Sequence, residues 1–85
     1  MPHETPHHRA AASVMAAIAD ILPDLLPEAL QPDASLAELG ATSIDRVEIA
    51  LAAMEALGLV LRPAELAGVA TIGALIARLE AHLPP

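Results

Sequence analysis

Apolar positions along the chain recur at helical spacing, and no stretch alternates in the manner of a strand. Val14, Ile18, Ile21 and Leu22 fall near one face of a segment from Pro6 to Leu22 whose other positions are largely alanine, which predicts a first helix ended by Pro23. The connection from Pro23 to Thr42 is long for a compact domain. Pro23, Pro27 and Pro32 keep it from being one helix, a single turn fits Pro27 to Leu30, and Leu25, Leu26, Leu30, Leu36 and Leu39 offer side chains to pin it to a core. A second helix is predicted from Ser43 to Leu57 with Gly58 as its C-terminal cap. Pro63 and Gly68 bracket a short third helix over Pro63 to Ala67. Thr71 is placed to cap a fourth, in which Ile72, Leu75, Ile76, Leu79 and Leu83 repeat at helical spacing. The pattern is that of an all-α bundle: three longer helices, one short helix and a long loop between the first two. No internal repeat is evident.

The second helix carries two apolar stripes. One holds Ile44, Val47, Leu51 and Met54; the other holds Ile49, Ala50, Ala53 and Leu57. Asp45, Glu48 and Glu55 lie beside the first at three- and seven-residue spacings. So wide an apolar arc belongs to a helix that is deeply buried or that binds something, and periodicity alone leaves both open.

Composition narrows the partners. The 85 residues make one small domain without cysteine or any aromatic residue, so there is no disulfide, thiolate metal site or thiol nucleophile, and the core is aliphatic. Four arginines against 11 acidic residues give a net charge of −7. Nucleic acid is therefore a poor partner and a basic protein surface a better one. No apolar run reaches the length of a membrane span, and the alanine-rich stretch after Arg9 is broken by Asp20, unlike a signal core. These features predict a cytoplasmic monomer, with Met1-Pro2 and Leu83-Pro84-Pro85 reading as the ends of a free-standing module. Residues 1–8 read as a flexible tail, so His3, His7 and His8 are not expected to hold a metal. With His82 at the far end, the four histidines form no catalytic constellation, and the chain is expected to be non-catalytic.

Ser43 stands where the loop ends and the second helix begins. A serine there can cap the helix, in which case Ser43→Ala would cost about 1 kcal/mol. The same position suits a phosphate, because free N–H groups and the positive end of the macrodipole face outward.

The run Asp33-Ala34-Ser35-Leu36-Ala37-Glu38-Leu39-Gly40 leading into Ser43-Ile44-Asp45 closely resembles the attachment site of acyl carrier proteins. The resemblance extends from about Arg9 to Leu83. It implies that Ser43 bears 4′-phosphopantetheine, derived from coenzyme A through a phosphopantetheinyl transferase. It also implies that Ile49, Ala53 and Leu57 face the bundle, while Ile44, Val47 and Leu51 meet partner enzymes. Asp45, Glu48 and Glu55 then steer basic docking sites. Thr42 stands where these carriers usually have Asp before the serine, and Arg46 has three candidate partners: a neighbouring carboxylate, a backbone carbonyl, or the phosphate.

Within the family, Gly40-Ala41-Thr42-Ser43-Ile44-Asp45-Arg46-Val47-Glu48-Ile49 is most similar to the free-standing donor carriers of polyketide β-branching cassettes. That resemblance implies an acetyl cargo, produced with a malonyl-loading acyltransferase and a decarboxylating ketosynthase-like enzyme, and delivered to a 3-hydroxy-3-methylglutaryl-synthase-like enzyme. Acceptor carriers have Trp six positions after the serine, where this chain has Ile49. An aliphatic core without aromatics suggests little room for a long acyl chain, in keeping with a two-carbon cargo. Two alternatives stand beside this reading: a carrier of another polyketide, fatty-acid or aminoacyl pathway, and an unmodified acidic helical adaptor in which Ser43 is only a cap.

Overall fold

The computed structural model describes residues 5–84. It holds three α-helices, α1 (Pro6–Ile21), α2 (Ser43–Leu57) and α3 (Ile72–Glu80), with short 3₁₀ turns at Pro27–Ala29 and Pro63–Leu66. Among the described residues there is no strand, only an isolated antiparallel bridge between Ser35 and Thr71. The predicted short third helix is thus a four-residue 3₁₀ turn. Pro63 starts it, but Ala67 is already extended at ψ 140°, so the turn stops before an α-helix can propagate, and Gly68 follows at φ +81°.

Each α-helix begins at a residue that satisfies its free amides. Thr5 accepts from His8 N–H at 3.1 Å with Pro6 in the first turn, and Thr71 accepts from Ala74 N–H at 3.1 Å. Pro6, His7 and His8 therefore form the first turn of α1 rather than part of a tail. His7 Nδ1 lies 2.6 Å from Glu80 Oε1, joining the start of α1 to the end of α3. His3 lies outside the described residues. α2 ends at Gly58, whose φ of +70° reverses the chain so that Leu59 N–H reaches back to the Met54 carbonyl at 2.9 Å.

α1 packs against both α2 and α3. Its buried face is Ala10, Val14, Ala17 and Ile18, so alanine forms half of the face expected to come from larger residues. Small side chains let neighbouring helices approach closely, and Ile49, Ile72 and Leu79 fill the space beyond them at zero exposure. Ile21 and Leu22 are only half-buried, at the rim of the core.

The loop of residues 22–42 is held at specific points. Leu36 is buried, and Leu25, Leu30 and Leu39 pack partly against the core. Leu26, expected to join them, is exposed. The loop backbone also completes α3: the Ala34 carbonyl accepts from Ile72 N–H at 3.0 Å and the Pro32 carbonyl from Gly73 N–H at 2.8 Å. Two amides that a helix start leaves unpaired are satisfied in this way. Gly73 has no side chain to obstruct the approach; a Cβ there would lie 2.8 Å from the Pro32 carbonyl oxygen and 3.2 Å from Pro32 Cβ.

Gly73→Ala therefore tests whether the loop is fastened here. Helix propensity alone would make alanine stabilising. The contact with Pro32 is expected to reverse the sign, with a loss of about 1–3 kcal/mol in urea unfolding followed by circular dichroism. A neutral or stabilising outcome would mean that the loop does not bear on α3.

Candidate functional site

Gly40, at φ +100°, turns the chain after Leu36, and Ala41 N–H closes the turn on the Leu36 carbonyl at 2.9 Å. Leu36 and Ala41 are both buried, which fixes the approach of the next residue to α2. That residue, Thr42, is the N-cap. Its Oγ1 accepts from Asp45 N–H at 3.0 Å, while Asp45 Oδ2 accepts from Thr42 N–H at 2.9 Å, a reciprocal capping box.

This corrects the capping role expected of Ser43. Ser43 is the first residue inside α2, and among the described residues its exposed hydroxyl has no hydrogen-bond partner. Its oxygen is free of structural duty. The same box gives Thr42 a definite role in this chain: its hydroxyl caps α2 while the Asp45 carboxylate holds its backbone.

Arg46 has a partner among those left open by its sequence context. Its Nη1 donates to the Ala41 carbonyl at 3.2 Å, reaching back past the start of its own helix. Asp45, through its cap, is half-buried, whereas Glu48 and Glu55 are exposed. Of the apolar stripe, Ile44, Val47 and Leu51 are 68%, 57% and 53% exposed. Met54 departs from that stripe and is buried, while Ile49, Ala50 and Ala53 face the core as the other stripe requires.

Beside Ser43 lies an open cavity of about 410 Å³. Ser43, Arg46 and Thr71 supply its polar lining; the rest is apolar, with Val47 and Leu51 from α2 and Leu61, Leu66 and Val69 from the segment between α2 and α3. The expectation of little room for an acyl chain rests on the core alone and does not include this open cavity beside it. The core proper is filled, but α2 and α3 both lean on α1 and leave space between them that the 3₁₀ segment does not fill. The sequence signal was present in Leu61, Leu66 and Val69, apolar residues in a Pro- and Gly-broken segment with no assigned partner.

A family model for the phosphopantetheine attachment site matches residues 12–79 of the chain. The chain belongs to the acyl carrier protein family. Carriers of this family hold 4′-phosphopantetheine covalently. A curated relative, the polyketide biosynthesis acyl-carrier-protein AcpK of Bacillus subtilis (strain 168), is 43% identical over 58 residues, covering 68% of this chain and 71% of the relative. No solved structure matches the chain. The residues of this carrier fit the group: an unengaged, exposed hydroxyl at a helix start, with an arginine and an open apolar cavity beside it. Among the described residues no group of three His, Cys, Asp or Glu side chains could hold a metal ion, and no helix is long and apolar enough to cross a membrane.

Separating the cap from the free hydroxyl gives an asymmetric prediction. Thr42→Ala should cost about 1 kcal/mol of unfolding free energy. Ser43→Ala, expected from sequence to cost as much, should change stability by no more than about 0.5 kcal/mol. Comparable losses for the two variants in urea titrations would contradict the capping assignment.

Proposed function

We propose that Ser43 is the attachment point of 4′-phosphopantetheine and that this carrier serves polyketide β-branching, presenting acetyl to a 3-hydroxy-3-methylglutaryl-synthase-like enzyme. The observation that carries the first part is the exposed Ser43 hydroxyl, left unpaired because Thr42 takes the cap. The arm supplies a thiol on which an acyl group is held as a thioester. Thr42 and Asp45 hold the helix start that presents Ser43. Ile44, Val47 and Leu51 give partner enzymes an apolar docking face, and Glu48 and Glu55 steer a basic site toward it. Tethering then raises the effective concentration of the cargo at whichever enzyme docks.

Ser43 should be the sole loading site. Incubation with coenzyme A and a broad-specificity phosphopantetheinyl transferase, read by intact mass and peptide mapping, should add one arm to the native protein and none to Ser43→Ala. An arm on Ser13 or Ser35, or on the alanine variant, would refute the assignment. No mass gain on the native protein would favour the unmodified adaptor.

The donor role is supported by Thr42-Ser43-Ile44-Asp45-Arg46 and by Ile49 where acceptors have Trp, whereas the polyketide relative supports the polyketide class alone. The cavity removes the packing argument for a short cargo, so acetyl rests on that local motif. Its test is transfer: acetyl-loaded protein offered to such a synthase with a β-ketoacyl acceptor carrier should react faster than an acetyl-loaded chain-extension carrier. Glu48→Arg and Leu51→Ala should slow that transfer, the former chiefly through association and with reduced salt sensitivity. Equal rates from the two carriers would leave a carrier of another pathway; unaffected rates in both variants would place docking elsewhere.

A further inference from the structure

Arg46 is placed against the electrostatics of its own helix. It sits four positions after the Thr42 cap, and a side chain in a helix leans toward the N-terminus. Its guanidinium therefore points back to the positive end of the macrodipole, where a cation is disfavoured. Its single hydrogen bond among the described residues, to the Ala41 carbonyl, uses one of five N–H donors, and no carboxylate pairs with it there. Asp45, the adjacent acid, is engaged with the Thr42 backbone. Ser43 lies three positions before Arg46, on the same side of the helix, and both line the cavity between α2 and the 61–70 segment. The Ala41 contact draws the guanidinium back to the start of α2 and leaves most of its donors unspent.

We propose that Arg46 is a positioning residue that holds the phosphodiester of the group borne on Ser43, directing the arm toward the α2 cavity. The inference rests on Ser43 being the attachment point. A phosphodiester supplies the anion that the site lacks, and it presents oxygens to which a guanidinium fork can donate in pairs. The amides of Ser43 and Ile44, which precede the first intrahelical bond, face the same anion. Arg46 thus changes from an unfavourably placed cation in the unmodified protein to a paired one in the modified protein. The Ala41 contact keeps it in place in both.

The experiment is a thermodynamic cycle on apo and holo forms of the native chain, Arg46→Gln and Arg46→Lys, with each holo form verified by intact mass and by mapping of the arm to Ser43. Loading should stabilise the native protein by about two- to five-fold in the folding equilibrium, the range of an exposed charge pair. This gain should fall in Arg46→Gln to the smaller share left to the Ser43 and Ile44 amides, be partly kept by Arg46→Lys, and shrink as salt rises. The cycle subtracts any stability lost with the Ala41 contact, which apo and holo forms share. The ³¹P resonance of the native holo protein should differ from that of Arg46→Gln and move toward it at high salt. Equal loading gains and coincident ³¹P resonances in the native and Gln proteins would overturn the role of Arg46 while leaving Ser43 as the loading site. Failure of the arm to map to Ser43 would overturn both.

Discussion

The shared dependence of α2 and α3 on α1 governs this small protein. α1 presents a face in which Ala10 and Ala17 alternate with Val14 and Ile18, and both other helices pack on it. A core without a single aromatic residue gains its density from close helix approach rather than from large side chains. Because α2 and α3 are each drawn to α1, the region between them is left to the 3₁₀ turn and to Leu61, Leu66 and Val69, and it remains partly open. The outer stripe of α2 stays more than half exposed for the same reason.

A second constraint places the chemistry. The long loop is tied to the start of α3 through the Pro32 and Ala34 carbonyls and sinks Leu36 and Ala41 into the core. It therefore delivers Thr42 to the start of α2 in a defined orientation, and the reciprocal bonds of Thr42 and Asp45 complete the helix start. Ser43 is relieved of a structural role by its neighbour. The serine is held by its backbone and free at its side chain, a suitable condition for a residue that carries something.

Much of this was legible in the residues. Pro6, Gly58, Pro63 and Thr71 mark boundaries because each acts through its own backbone or its nearest neighbours, so the signal is local. The two stripes of α2 were visible as well, since helical periodicity is a property of one segment. What was not legible depends on other segments. Leu26 looks as apolar as Leu25 yet lies exposed, and Met54 shares the spacing of the outer stripe of α2 yet is buried. The cap was misassigned for a different reason: two hydroxyl residues stand side by side, and the deciding sign was the three-residue interval from Thr42 to Asp45. The cavity was missed because the absence of large side chains suggests a shortage of volume, whereas here it follows from how three helices share one surface.

The contact between His7 and Glu80 has a consequence for the chain as a whole. Thr71, at the start of α3, lines the cavity together with Ser43, and Glu80 closes the far end of that helix, about 13 Å away at 1.5 Å per residue. The first turn of α1 is thus gathered to the pole opposite the serine. The start of α1 and the end of α3 share that pole. A tether fused at either end would pull on the molecule from behind, leaving the serine, its cavity and the outer face of α2 turned toward whatever the carrier visits.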